Sequence, residues 1–166
     1  MFHRMILGMI LAQLLAPEAR AQFDEGAFKQ ALKLKKNVYL SQGAISGGDR
    51  TQSDFKVVSV RIAANPAGYD RVVIDLADSK RPPFFMVQMD PQTHRAVVTL
   101  YGKAKLDFST QSAIQAARKT KTLSKIDFIP LVEADRWMFS LETQPGVKAE
   151  VFELSDPSRI IIDLKP

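Results

Sequence analysis

From Lys56 to the end of the chain, apolar residues recur at every second position, and that period decides the class of fold available. Val58, Val60 and Ile62 alternate with Ser59 and Arg61. In residues 71–76, Val72, Ile74 and Leu76 point one way, and Arg71, Val73 and Asp75 the other. Residues 96–101, 136–141 and 159–164 repeat the pattern, and 84–89 and 147–154 are further strand candidates. All are rich in β-branched or aromatic side chains, which suit a pleated surface. The turns between them carry their own chemistry in Asn65-Pro66-Ala67-Gly68, Asp90-Pro91-Gln92-Thr93 and Asp156-Pro157-Ser158. There Pro presets φ, and an Asn or Asp side chain accepts backbone N–H groups. Short strands separated by such turns predict an all-β sandwich.

The strands fall into two matched sets. Asp70-Arg71 matches Asp135-Arg136, Leu76 matches Leu141 and Met89 matches Leu154, each pair 65 residues apart. Pro91, Arg95 and Leu100 then match Pro157, Arg159 and Leu164, the spacing drifting from 66 to 64 as the turn shortens. The halves run over about 56–101 and 123–166. Neither can bury its own apolar face, so the expectation is two small β-sheets packed as a pseudo-symmetric sandwich.

The chain begins differently. Arg4, an apolar run over 5–16, and Ala19-Arg20-Ala21 have the three parts of a secretory signal, predicting cleavage after Ala21 and a mature start at Gln22. Twelve helical residues rise only ~18 Å against a ~30 Å hydrocarbon core, so stable membrane insertion is not expected. The expected location is the periplasm. In residues 22–37, Phe23, Ala27, Phe28, Ala31, Leu32 and Leu34 share one side at helical spacing, and Lys29, Lys33 and Lys36 the other. A short helical segment follows from this, and at that length it needs a surface to dock on. Residues 41–53, rich in Gly, Ser and Gln with Ile45 their only large apolar side chain, read as a flexible linker, so the domain is expected to start at 55. Between the two halves, residues 102–125 hold six basic residues and one acid, and 112–118 have helix-forming composition. A solvated crossover is the expectation for this stretch. Export separates its charge from nucleic acid.

Composition removes several chemistries. With no cysteine, disulfides, thiolate zinc sites and Cys nucleophiles are excluded. His94 is the only histidine left after signal removal, too few for a catalytic zinc site and poorly placed in a turn for a triad. Neither catalysis nor a cofactor is expected, with one formal exception: convergence of Asp75 and Asp163 in paired-carboxylate glycoside chemistry.

The run Arg71-Val72-Val73-Ile74-Asp75-Leu76, an intervening strand, and then Leu154-Ser155-Asp156-Pro157-Ser158-Arg159-Ile160-Ile161-Ile162-Asp163-Leu164 resemble the AMIN domain. That module accompanies secreted N-acetylmuramoyl-L-alanine amidases and type IV pilus secretins. The resemblance covers roughly residues 55–166. It departs from the family at Thr99, where Asp is usual, and at Trp137-Met138, where a Val/Leu pair is usual. The resemblance implies two symmetric sheets and a non-catalytic role holding envelope machinery at the wall, with peptidoglycan as the ligand. A protein partner (an amidase, a secretin or a divisome component) is the alternative.

Candidate ligand-binding residues lie on the outward strand faces. Arg71 and Asp75 stand four apart on one face, Arg159 and Asp163 repeat the arrangement, and Arg95 and Arg136 add cations at strand starts. A rigid guanidinium fork suits the carboxylates of wall peptides, and Asp suits sugar hydroxyls. Tyr69, beside Gly68, is the candidate stacking ring, with Tyr101 a second, whereas Trp137 and Phe139 are expected in the core. The competing expectation is structural. If the two strands pair antiparallel, Arg of one faces Asp of the other and the charges satisfy each other.

Overall fold

The computed structural model describes residues 35–129 and 135–166. The expected signal 1–21 and most of the expected helix lie outside them. Among the described residues, ten strands run in chain order: β1 (Gly43–Gly47), β2 (Asp54–Asn65), β3 (Tyr69–Ala77), β4 (Phe85–Asp90), β5 (Arg95–Tyr101), β6 (Lys103–Leu106), β7 (Leu123–Ile129), β8 (Arg136–Thr143), β9 (Lys148–Leu154) and β10 (Arg159–Lys165). A helix, α1 (Thr110–Ala117), sits between β6 and β7. Sheet A has the order β6-β2-β3-β10-β9, and sheet B the order β1-β4-β5-β8-β7.

That order carries the expected duplication. The first half gives hairpin β2–β3 to sheet A and β4–β5 to sheet B, and the second gives β7–β8 to sheet B and β9–β10 to sheet A. Exchanging the halves exchanges the sheets. Each sheet is centred on a strand pair drawn from both halves, β3 with β10 and β5 with β8, so neither half has a complete sheet alone.

The inward side chains of both sheets make one core. Val72, Ile74, Ile160, Ile162 and Leu164 from sheet A meet Val87, Val98, Leu100, Phe139 and Leu141 from sheet B. Trp137 is 5% exposed and its ring lies 5.0 Å from that of Phe139, so both are core residues as expected. Helix α1 closes one side, burying Ala113 and Ala117 and packing against β2 and β7. The turn chemistry is realised: Asn65 Oδ1 accepts the Ala67 N–H, and Asp90 Oδ1 accepts that of Gln92.

Three expectations about the strands need correction. Residues 41–53 are not a linker, since β1 within them pairs antiparallel with β4, Ile45 opposite Val87, so the sandwich begins before 55. Val58 does not share a face with Val60 and Ile62. A bulge between Val57 and Ser59 turns Phe55 and Val57 inward and leaves Val58 half-buried. The basic crossover also contains β6, which pairs parallel with β2 and spends its lysines on an exposed edge.

Candidate functional site

The outward face of sheet A gathers five of the seven candidate residues, and it is closed. Register places Arg71 opposite Asp163 and Arg159 opposite Asp75. Arg71 donates from Nε to Asp163 Oδ1 at 2.6 Å and from Nη2 to Oδ2 at 2.9 Å, a bidentate fork already filled by the protein's own carboxylate. Lys35 donates to the same Oδ2 at 2.5 Å and lies 3.5 Å from Glu150. Asp163 has no exposed surface and Arg71 is 8% exposed. Burial opposes the charge of each cation, but hydrogen bonds to Asp163 outweigh it and hold both pKa values above their ordinary ones. Tyr69 is not an exposed stacking ring. It is buried between two cations, Lys35 Nζ 3.8 Å and the Arg71 guanidinium 5.3 Å from its centroid, and burial raises its hydroxyl pKa.

A second ion group lies at the other end of the same strands. Asp75 accepts from Arg61 at 2.7 and 2.9 Å, from Arg159 at 2.9 Å, and from the Ser59 hydroxyl. Burial alone would raise this carboxyl; the hydrogen bonds from Arg61 and Ser59 and the nearby guanidinium charges depress it below its ordinary value. A carboxyl held ionised in this way is a poor proton donor. The structural expectation therefore describes these two pairs, and Arg71, Asp163 and Tyr69 are corrected from ligand-binding to structural positions. Sheet B places the other two arginines apart from them. Arg95 bonds Glu142 at 2.9 Å on a half-exposed surface, and Arg136 lies opposite Tyr101.

One of the accessible concavities among the described residues lies elsewhere, at the side of the sandwich opposite α1, where edge strands β1 and β9 face each other across the gap between the sheets. This cleft has a volume of about 490 Å³. Val38, Leu40, Ile45, Phe85 and Val151 give it an apolar floor, and Lys36, Arg81, Glu150 and Glu153 a rim of both signs. Its walls are pinned by specific bonds. Leu40 and Ala149 exchange backbone hydrogen bonds of 2.8 and 2.9 Å, while Glu153 accepts from the Gly48 N–H at 2.5 Å and from Arg81 at 2.6 Å. Gly48 is required there: its φ is +84°, and a Cβ would come within 2.0 Å of the Pro83 carbonyl oxygen. Beyond its pairing with β4, β1 has no strand partner among the described residues.

Sequence reasoning missed this site because Lys36 and Ile45 to Gly48 come from stretches that read as helix end and linker, and nothing local brings them beside the strand candidates that hold Phe85 and Glu150 to Glu153. Ile45, the lone large apolar residue in an otherwise polar run, was the one available signal. The chain matches no protein-family model, no curated protein and no solved structure.

Proposed function

We propose that this protein is a non-catalytic binding module of the bacterial cell envelope that holds its cargo at peptidoglycan, with the β1–β9 cleft as the ligand site. The observation that carries the reading is the cleft's combination of an apolar floor with cations and carboxylates at its rim. Wall peptides join alanine methyl groups to carboxylates and amides along a short extended backbone. The floor suits the methyl groups, Lys36 and Arg81 suit the carboxylates, and the open edge of β1 suits the backbone. The exchange of hairpins between sheets supports the AMIN-like resemblance on which the envelope role rests. Arg81 shares its guanidinium with Glu153 and is half-exposed, so it has donors left for a ligand.

Purified sacculi provide the test. Wild-type protein is expected in the pellet at low and moderate salt, Arg81→Glu in the supernatant, and Arg71→Met, if folded, in the pellet. Wild type left in the supernatant under both conditions refutes the reading. The second reading, a protein adaptor, is favoured by the unpartnered edge of β1, a template for strand addition. Capture of an envelope protein by wild type but not by a β1 variant, with no sacculus binding, would select it.

A further inference from the structure

Arg61, Arg71, Arg81, Arg95 and Arg159 each bond a carboxylate of the protein. Arg50 packs on an aromatic ring instead. Its guanidinium lies 4.7 Å over the ring of Phe84, and that ring lies 5.1 Å from Tyr101 at a tilt of 32°. Guanidinium and two half-buried rings thus form one row, and they line a depression of about 560 Å³ that has Gln52, Lys103 and Asp135 among its walls.

Strand alternation builds the row. Phe85 and Leu100 lie opposite each other and point into the core, so Phe84 and Tyr101, the next pair along, point away from it. Backbone hydrogen bonds fix the segments around them. The Phe84 N–H donates to the Asp49 carbonyl and the Tyr101 N–H to that of Phe84, both at 2.9 Å. The Gly102 N–H donates to Asp135 at 2.6 Å and the Lys103 N–H to Ser53 at 2.7 Å. Gly102 has a φ of +122°, and a Cβ there would come within 2.6 Å of the Ser53 carbonyl oxygen, so glycine is what lets these segments close.

We propose that this depression binds a carboxylated sugar. Its volume is that of a small-ligand site, with an apolar lining and a few polar groups. The tilted ring pair offers apolar surface to the C–H face of a puckered pyranose, and Gln52 offers an amide to its hydroxyls. Charge selects the acid. Arg50 and Lys103 face the one carboxylate of Asp135, and neither cation has an ion-pair partner among the described residues. That balance disfavours a quaternary ammonium, the other ligand an aromatic pair recognises, whereas a guanidinium fork suits a carboxylate. The inference stands without the β1–β9 assignment, because a free sugar acid tests it with no sacculus present.

Backbone amide chemical shifts of the intact chain read the site residue by residue. The probes are N-acetylmuramic acid and glucuronic acid, compared with the neutral sugars N-acetylglucosamine and glucose respectively. At least one acid is expected to shift the amides of Arg50, Tyr101, Gly102 and Lys103 and to bind about tenfold more tightly than its neutral counterpart. Which acid binds more tightly tells a wall glycan from an acidic polysaccharide. Arg50 is exposed, so Arg50→Gln is expected to keep the fold and to remove that preference. Tyr101→Ser is expected to weaken acid and neutral sugar alike. The proposal is overturned by an absence of shifts with both acids, by equal affinity for acid and neutral sugar, or by a preference that survives Arg50→Gln. Shifts confined to the β1–β9 cleft, or tighter binding of adenosine monophosphate than of either acid, overturn it as well.

Discussion

Replacing Asp163 by Asn tests whether the arginines of sheet A belong to the fold or to a ligand. Asp163 and Glu150 together balance Lys35 and Arg71, four charges within one buried cluster. Asparagine keeps the volume and one acceptor oxygen but removes a charge, leaving two buried cations with the one carboxylate of Glu150. Removing one partner of a buried ion pair typically costs ~3–5 kcal/mol, because the other charge stays desolvated. The retained amide oxygen places the expected loss at the lower end, ~3 kcal/mol. For a chain of this size that lowers Tm by roughly 6–12 °C. Urea titration at neutral pH reads it as a lower midpoint with an unchanged slope. The double variant Arg71→Met with Asp163→Leu provides the internal control. With both partners apolar no charge is stranded, and most of the stability is expected to return. A loss below ~1 kcal/mol, the range of solvated surface pairs, would refute the reasoning. The cluster would then be open to water, and Arg71 would again be available to a ligand.

Two further outcomes follow from the same geometry. Asp75 has a depressed folded-state pKa, so its contribution is present above the ordinary carboxylate pKa and lost as pH falls through the lowered one. Asp75→Asn is therefore expected to be less stable than wild type by ~1–3 kcal/mol at neutral pH, with a gap that narrows below pH ~4; a gap constant down to pH ~2.5 would contradict this. Gly48→Ala forces an alanine into left-handed backbone against the Pro83 carbonyl, at a cost of roughly 1–3 kcal/mol. Hydrogen exchange is expected to quicken in β1 and not in β3, and equal protection of β1 in both proteins would count against the pinned cleft wall.

The fold was legible where its determinants are local. Alternation in β3, β5, β8 and β10 names the inward residues one by one, and Asn65 and Asp90 announce turns that their side chains then make. β1 and β6 were not legible. β1 is five residues with one large apolar side chain, and β6 is four residues exposed throughout, so each owes its strand geometry to the neighbour it pairs with. The bulge in β2 is likewise set by pairing with β3 rather than by the local pattern. For the candidate site, the spacing of Arg71 from Asp75 and of Arg159 from Asp163 showed which residues share a face, and antiparallel pairing was foreseeable as a way to neutralise them. Their burial was not. The residue that completes the cluster, Lys35, stands 128 positions from Asp163, and no local pattern carries a contact of that range.

A duplicated scaffold invites the inference that both halves bind alike, and the strand registers argue against it. The sequence match places Arg136 at the position of Arg71 and Thr99 at that of Asp163, so sheet B lacks the carboxylate of the sheet A pair. Its central ladder is also displaced: the match would put Arg95 opposite Ser140, but Arg95 lies opposite Glu142 and bonds it. Thr99 consequently faces Met138, and Arg136 faces Tyr101. A carboxylate restored by Thr99→Asp would stand diagonal to Arg136, a separation of ~7–8 Å in place of the direct cross-strand contact that Arg71 and Asp163 enjoy. Two changes, a lost acid and a two-residue shift in register, thus separate the faces. The outward face of sheet A holds charges pinned beside a buried apolar cluster, whereas that of sheet B keeps Met86, Val97 and Met138 partly exposed. The wall-peptide site we propose lies on neither face but at the edge between the sheets, beside β1 and β9.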